Sequence, residues 1–207
     1  MIPAKWRQSF VYCEGGFLAV YQFYNQKDDE AGAFDKKSRE VVLLAAGCAN
    51  SVGVYTLLDE RSLPDFLYNN GFDVWALDLR GHGESEPPPG PREWDIGVYA
   101  FVDTRTVIDY VCNRTGCEKV HYIGHSMGGM IGMALAAHPE TYRKLHSVTA
   151  LGSAIYLGSS IFNIFGPVHK EYSPLTLHCT NKVQISTTVA LHNYNTVSRE
   201  YTSVLSQ

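Results

Sequence analysis

The 207-residue sequence predicts an α/β fold, a mostly parallel sheet flanked by helices. Three observations lead there. Short apolar runs alternate with segments at helical spacing, the pattern of strands joined by crossover helices. The run E-V-V-L-L-A-A (40–46) is apolar and β-branched, as a strand buried on both faces of a parallel sheet should be. Finally, 45% hydrophobic and 12% aromatic residues suffice for one continuous core, so a single folding unit is expected.

The elements follow in order. F-L-A-V-Y-Q-F-Y (17–24) reads as a strand, and the charged segment 27–40 after it as a solvated loop. After the strand at 40–46, Ser62 to Asn70 reads as a short helix stopped by Gly71, and F-D-V-W-A-L-D (72–78) as the next strand. From Asp95 to Arg114 the apolar positions Val98, Phe101, Ile108, Val111 and Cys112 keep helical spacing. K-V-H-Y-I (119–123) is a strand. Met127, Met130, Ile131, Ala134, Leu135 and His138 then form one stripe of an amphipathic helix, and S-V-T-A-L (147–151) is a further strand. The run V-Q-I-S-T-T-V-A-L (183–191) fits either a strand or part of a cap. P-P-P-G-P (87–91) reads as a stiff loop.

Composition excludes several classes of function. The net charge of −4 is spread out, without a Lys/Arg run able to track phosphates, so nucleic acid is not an expected partner. No stretch of 18 apolar residues is present, and the N-terminus lacks the apolar core of an export signal, which gives the expectation of a soluble, cytoplasmic chain without a transmembrane segment. Five cysteines (Cys13, Cys48, Cys112, Cys117, Cys179), without a C-x-x-C pair, signal neither a disulfide framework nor a zinc site, and most are expected as buried thiols. No metal or cofactor is called for. N-R-T (113–115) matches a glycosylation sequon, and W-D-I-G-V-Y-A (94–100) is expected to anchor the helix that follows it.

The chemistry concentrates at H-Y-I-G-H-S-M-G-G-M (121–130), where Ser126 stands between Gly124 and Gly128. A random chain of this length carries Gly-x-Ser-x-Gly about once in fifteen, so context has to decide. Here the motif joins a strand to a helix. That is the setting of a nucleophile elbow, whose strained turn leaves no room for side chains two residues before and two after the serine. Gly124 and Gly128 meet that demand, and the helix start aims free N–H groups and positive dipole at a developing oxyanion.

With this elbow, D-L-R-G-H-G-E-S (78–85) and A-A-G-C-A-N-S (45–51) both follow predicted strands, and the chain resembles the α/β-hydrolase superfamily. The phrasing across about residues 60–130 is similar to the acid-lipase branch, although D-L-R-G-H-G stands where that branch usually has N-x-R-G-N. The resemblance implies Ser126 as nucleophile, with oxyanion donors from the backbone N–H groups of Met127 and Cys48. Ala46 replaces the family's histidine before Gly47. It also implies the chain order Ser, acid, His. After Ser126 the only acids are Glu140, Glu171 and Glu200. Glu140 reads as a surface carboxylate; Glu171 with His178 or His192 satisfies the order. His169 is the third histidine of that C-terminal stretch, whereas His82, His121, His125, His138 and His146 belong to loops or regular elements.

Residues 1–152 are thus expected to form the hydrolase core, and residues 153–207 a partial cap or a divergent C-terminal segment of the same domain. I-Y-L-G-S-S-I-F-N-I-F-G-P-V-H-K (155–170) would line an acyl pocket. The 55 positions after Gly152 are too few for a cap, further strands and both remaining triad members, which makes a C-terminally truncated chain the expectation. Two functions compete: a lipase- or esterase-like serine hydrolase acting on small-molecule or lipid esters, and a catalytically impaired hydrolase-fold protein with a binding role or none. Acyl transfer on the same fold is a third reading. Oligomeric state is not legible.

Overall fold

The computed structural model describes residues 6–24, 39–57, 62–87, 95–153 and the backbone of 184–188. The 155–170 run, His169, Glu171, His178, Cys179, His192, Glu200 and most of the 27–40 and 87–91 loops lie outside the described residues. The strands are β1 (Trp6–Cys13), β2 (Gly16–Phe23), β3 (Val41–Ala45), β4 (Asp73–Leu77), β5 (Val120–His125), β6 (Leu145–Leu151) and β7 (Gln184–Thr188). The helices are α1 (Leu63–Asn69), α2 (Arg105–Thr115) and α3 (Met127–Ala137). Among the described residues, one seven-stranded sheet runs in the order β1-β2-β4-β3-β5-β6-β7. The strands from β4 to β7 are mutually parallel, and β1 and β2 are antiparallel to their neighbours.

The central strands behave as their composition requires. Every residue of β3 and β4 is buried, because helices cover both faces. One face packs Leu44, Val42, Val74 and Ala76 under Val52, Tyr55, Leu67 and Tyr68, from the connection between β3 and β4. The other packs Leu43, Ala45, Trp75 and Tyr122 under Val107, Ile108, Val111, Ile131 and Leu135, from α2 and α3. Ser62 caps α1 by accepting the Asp65 N–H at 3.3 Å, and Gly71 turns the chain out of it at φ 91°.

The structure departs from the sequence reading at three places. Strand β1 is absent from that reading; its exposure alternates only weakly, and it owes its place to the ladder with β2, joined through Glu14 and Gly15, both at positive φ (22° and 90°), as tight hairpin turns require. The helix expected over 95–114 opens as a π-helical segment, Val98–Thr104, before α2 begins. Helix α3 also buries Met133, off the expected stripe, while Met127 and Met130 are partly exposed and His138 is an extended cap beyond the helix. Its glycines, rather than an apolar stripe alone, form the contact with the sheet.

This topology creates a switch point between β3 and β5. From β3 the chain turns toward β4, whereas from its neighbour β5 it leaves toward β6. The loops after β3 and β5 therefore diverge, and such a switch point at the carboxyl ends of parallel strands is where α/β sheets hold ligands.

Candidate active site at the β3 and β5 switch point

Ser126 stands at that switch point, in the turn that follows β5. It links β5 to α3 at φ 52° and ψ −117°, a conformation costly for any residue with a side chain. Three bonds hold it there. Its N–H donates to the Leu151 carbonyl at 2.9 Å, and its carbonyl accepts the N–H groups of Gly129 (3.0 Å) and Met130 (3.2 Å), the first bonds of α3. The N–H groups of Met127 and Gly128 are among the helix-start donors without an intrahelical acceptor.

Gly124 and Gly128 make this turn possible by close approach. A Cβ on Gly124 would lie 2.2 Å from the Gly128 carbonyl carbon, and one on Gly128 would lie 2.3 Å from the Ala45 oxygen and 2.7 Å from that of Ala46. The start of α3 is thus pressed against the end of β3. Two buried tyrosines lock the contact: Tyr55 donates its hydroxyl to the Ala45 carbonyl at 2.7 Å, and Tyr122 to the Gly128 carbonyl at 2.9 Å. Burial pushes both phenols far above their ordinary pKa, so they stay neutral donors.

Beyond β3, Gly47 comes so near that a Cβ there would sit 3.0 Å from the Ser126 Cβ. Cys48 follows, exposed, in a turn closed by the Asn50 N–H on the Gly47 carbonyl at 3.2 Å. Cys48 thus directly follows the residue that touches Ser126, and Met127 directly follows Ser126 itself. Ala46 is buried in the core on the α1 side.

The loop after β4 supports this arrangement through a network the sequence reading did not assemble. The buried Asp78 carboxylate accepts the Val52 N–H (2.7 Å), the Tyr21 hydroxyl (2.8 Å) and the Glu84 N–H (3.0 Å). It thereby ties the Cys48 loop, β2 and the R-G-H-G turn together. Arg80, 7% exposed, donates from Nε to both oxygens of the fully buried Asp103 (2.9 and 2.7 Å), and its Nη2 pairs with Asp103 as well. Burial pushes the Asp103 carboxyl up from its ordinary value against the pull of the guanidinium, and the same contact holds Arg80 in its charged form. The D-L-R-G-H-G-E-S run was the available signal for Asp78 and Arg80; Asp103 had none, because only the π-helical segment brings it to Arg80.

The remaining sequence candidates separate clearly. His125 is exposed beside Gly47 and Gly152. His82 has Nδ1 3.0 Å from the Arg80 carbonyl and its ring edge-on to Tyr99; His138 packs on Phe101 at 4.8 Å; His121 stacks on His146 at 5.1 Å, far down β5. Glu140 is the surface carboxylate expected, paired with Arg105 at 3.2 Å in solvent. Among the described residues no side chain hydrogen-bonds Ser126 Oγ, and no three metal-ligating groups converge. No helix among them is long and apolar enough to cross a membrane.

Known proteins share this architecture. Residues 40–164 match the family described as alpha/beta hydrolase fold. Lipase 3 of Drosophila melanogaster is 31% identical over 185 residues, covering 82% of this chain and 43% of the relative. Gastric triacylglycerol lipase of Bos taurus is 30% identical, covering 74% of the chain and 41% of the relative. The chain thus spans less than half the length of these curated relatives. Among solved structures, a hydrolase from Pseudomonas aeruginosa superposes with a TM-score of 0.54 at 20% identity, over 74% of this chain and 48% of the other, a likeness of fold alone. The parallel sheet, the Ser126 turn and the matched profile lead to one conclusion: the chain belongs to the α/β-hydrolase fold family.

Proposed function

We propose that the chain is a serine hydrolase of carboxylic esters, lipase- or esterase-like, working through an acyl-enzyme on Ser126. The observation that carries this reading is the strained Ser126 turn, pressed between the end of β3 and the start of α3, which serves as a nucleophile elbow. In the first half-reaction, Ser126 Oγ attacks the ester carbonyl while a histidine takes its proton. The oxyanion is received by the Met127 and Cys48 N–H groups, and collapse of the tetrahedral intermediate expels the alcohol. Water then attacks the acyl-enzyme and releases the acid. The names of the lipase relatives support lipid or other carboxylic esters as the substrate class. The histidine and its acid are sought in Glu171, His178 and His192, which satisfy the required chain order.

The test is labelling of the folded 207-residue chain with a fluorophosphonate, alongside hydrolysis of a short-chain chromogenic ester, with Ser126→Ala as control. An adduct on Ser126 that the substitution abolishes, together with ester turnover, is the expected result; His178→Ala and His192→Ala then identify the base. A folded chain without adduct or turnover rules this reading out and leaves a hydrolase scaffold limited to binding.

A further inference from the structure

Away from the Ser126 site, helix α2 ends in a glycine cap: Gly116, at φ 79°, donates its N–H to the Cys112 carbonyl at 2.8 Å. In such caps the residue after the glycine folds back over the last helical turn, where an apolar pair usually meets. Here the pair is two thiols. Cys117 Sγ lies 3.2 Å from Cys112 Sγ in an S–H···S contact. The backbone between them is held as well, Thr115 Oγ1 donating to the Val111 carbonyl at 2.8 Å and accepting the Cys117 N–H at 3.3 Å. Cys112 is 7% exposed, whereas Cys117 is only half-buried. The accessible sulfur is also the more acidic: the S–H of Cys112 favours the Cys117 thiolate, lowering Cys117 to about 6, and the same contact pushes Cys112 up.

We propose that Cys112 and Cys117 are a redox-active dithiol that takes low-molecular-weight disulfides as oxidants and closes into an intramolecular disulfide. The Cys117 thiolate attacks one sulfur of the small disulfide, forming a mixed disulfide and expelling one thiolate. Cys112 then loses its proton and attacks Cys117 Sγ, forming the Cys112–Cys117 bond and expelling the second thiolate. The two protein sulfurs together give up two electrons and two protons, and the small disulfide leaves as two thiols. The sulfurs need close by only about 1.2 Å to reach bonding distance. The bond ties the end of α2 to the residues just before β5, the strand that runs to Ser126.

Trypsin cuts after Arg105, Arg114 and Lys119, so each cysteine falls on its own peptide, Thr106–Arg114 and Thr115–Lys119. The folded chain is equilibrated in buffers of stepped glutathione to glutathione disulfide ratio, quenched with acid, alkylated and digested. The linked peptide pair is expected to replace the two alkylated peptides as the ratio becomes oxidising. In Cys112→Ser, Cys117 stops at the glutathione mixed disulfide; in Cys117→Ser, Cys112 takes up none. Persistent separate alkylation of both peptides at every ratio, or linkage seen only after unfolding in urea, overturns the proposal. The unsubstituted chain carries this test by itself if either variant fails to fold.

Discussion

At the scale of single residues, the local energetics run against stability where the proposed chemistry would occur. Ser126 is held at positive φ although glycine would occupy that conformation more cheaply. Ser126→Gly is therefore expected to be more stable than Ser126→Ala by about 1 kcal/mol, the relief of strain exceeding glycine's extra unfolded-state entropy. The midpoints of urea unfolding of the two variants measure the difference directly. The serine itself was legible from Gly-x-Ser-x-Gly, because steric demands two residues either side leave a mark in sequence. The Arg80–Asp103 pair was not. Its partners are 23 positions apart and meet through tertiary packing, and a carboxylate in an amphipathic pattern reads as solvent-facing until its burial is seen.

At the scale of elements, α3 shows why its glycines matter more than its apolar stripe. Gly128 has Ala45 and Ala46 backbone oxygens where a Cβ would be, and β3, buried in the middle of the sheet, has no room to retreat. Gly128→Ala is expected to cost about 3 kcal/mol, at the upper end for overpacking, because the clash is with backbone rather than a flexible side chain. A lowered midpoint of thermal unfolding by circular dichroism is the expected reading, and an unchanged midpoint would mean that α3 stands further from the sheet. Strands β2 to β6 were readable because their runs are apolar and close to the mean strand length. Strand β1 was missed because its apolar residues do not mark the buried face: Phe10 and Tyr12 are exposed while Gln8 and Ser9 are partly buried; the π-helical opening before α2 was missed because apolar spacing alone does not tell a wide turn from an ordinary helical one.

At the scale of the molecule, two apolar clusters on opposite faces share one sheet. Leu44, fully buried on the α1 side, and Ile131, fully buried on the α2 and α3 side, test whether they unfold together. Each truncation to alanine is expected to cost about 2–5 kcal/mol, and the double variant their sum within about 0.5 kcal/mol. Tryptophan emission and far-ultraviolet circular dichroism should give coincident transitions throughout, whereas two separated transitions would mean that the faces melt independently.

What the sequence by itself determined was the fold class, most of the parallel strands and the position of Ser126. These rest on local periodicity and on steric constraints between residues only a few positions apart. Only the tertiary structure decided the strand order that sets a switch point between β3 and β5, the Asp78 and Arg80–Asp103 network beside it, and the meeting of Cys112 with Cys117 over a helix end. The reason is physical: a pattern within one element reports which face is buried, but not which distant side chain will share that burial.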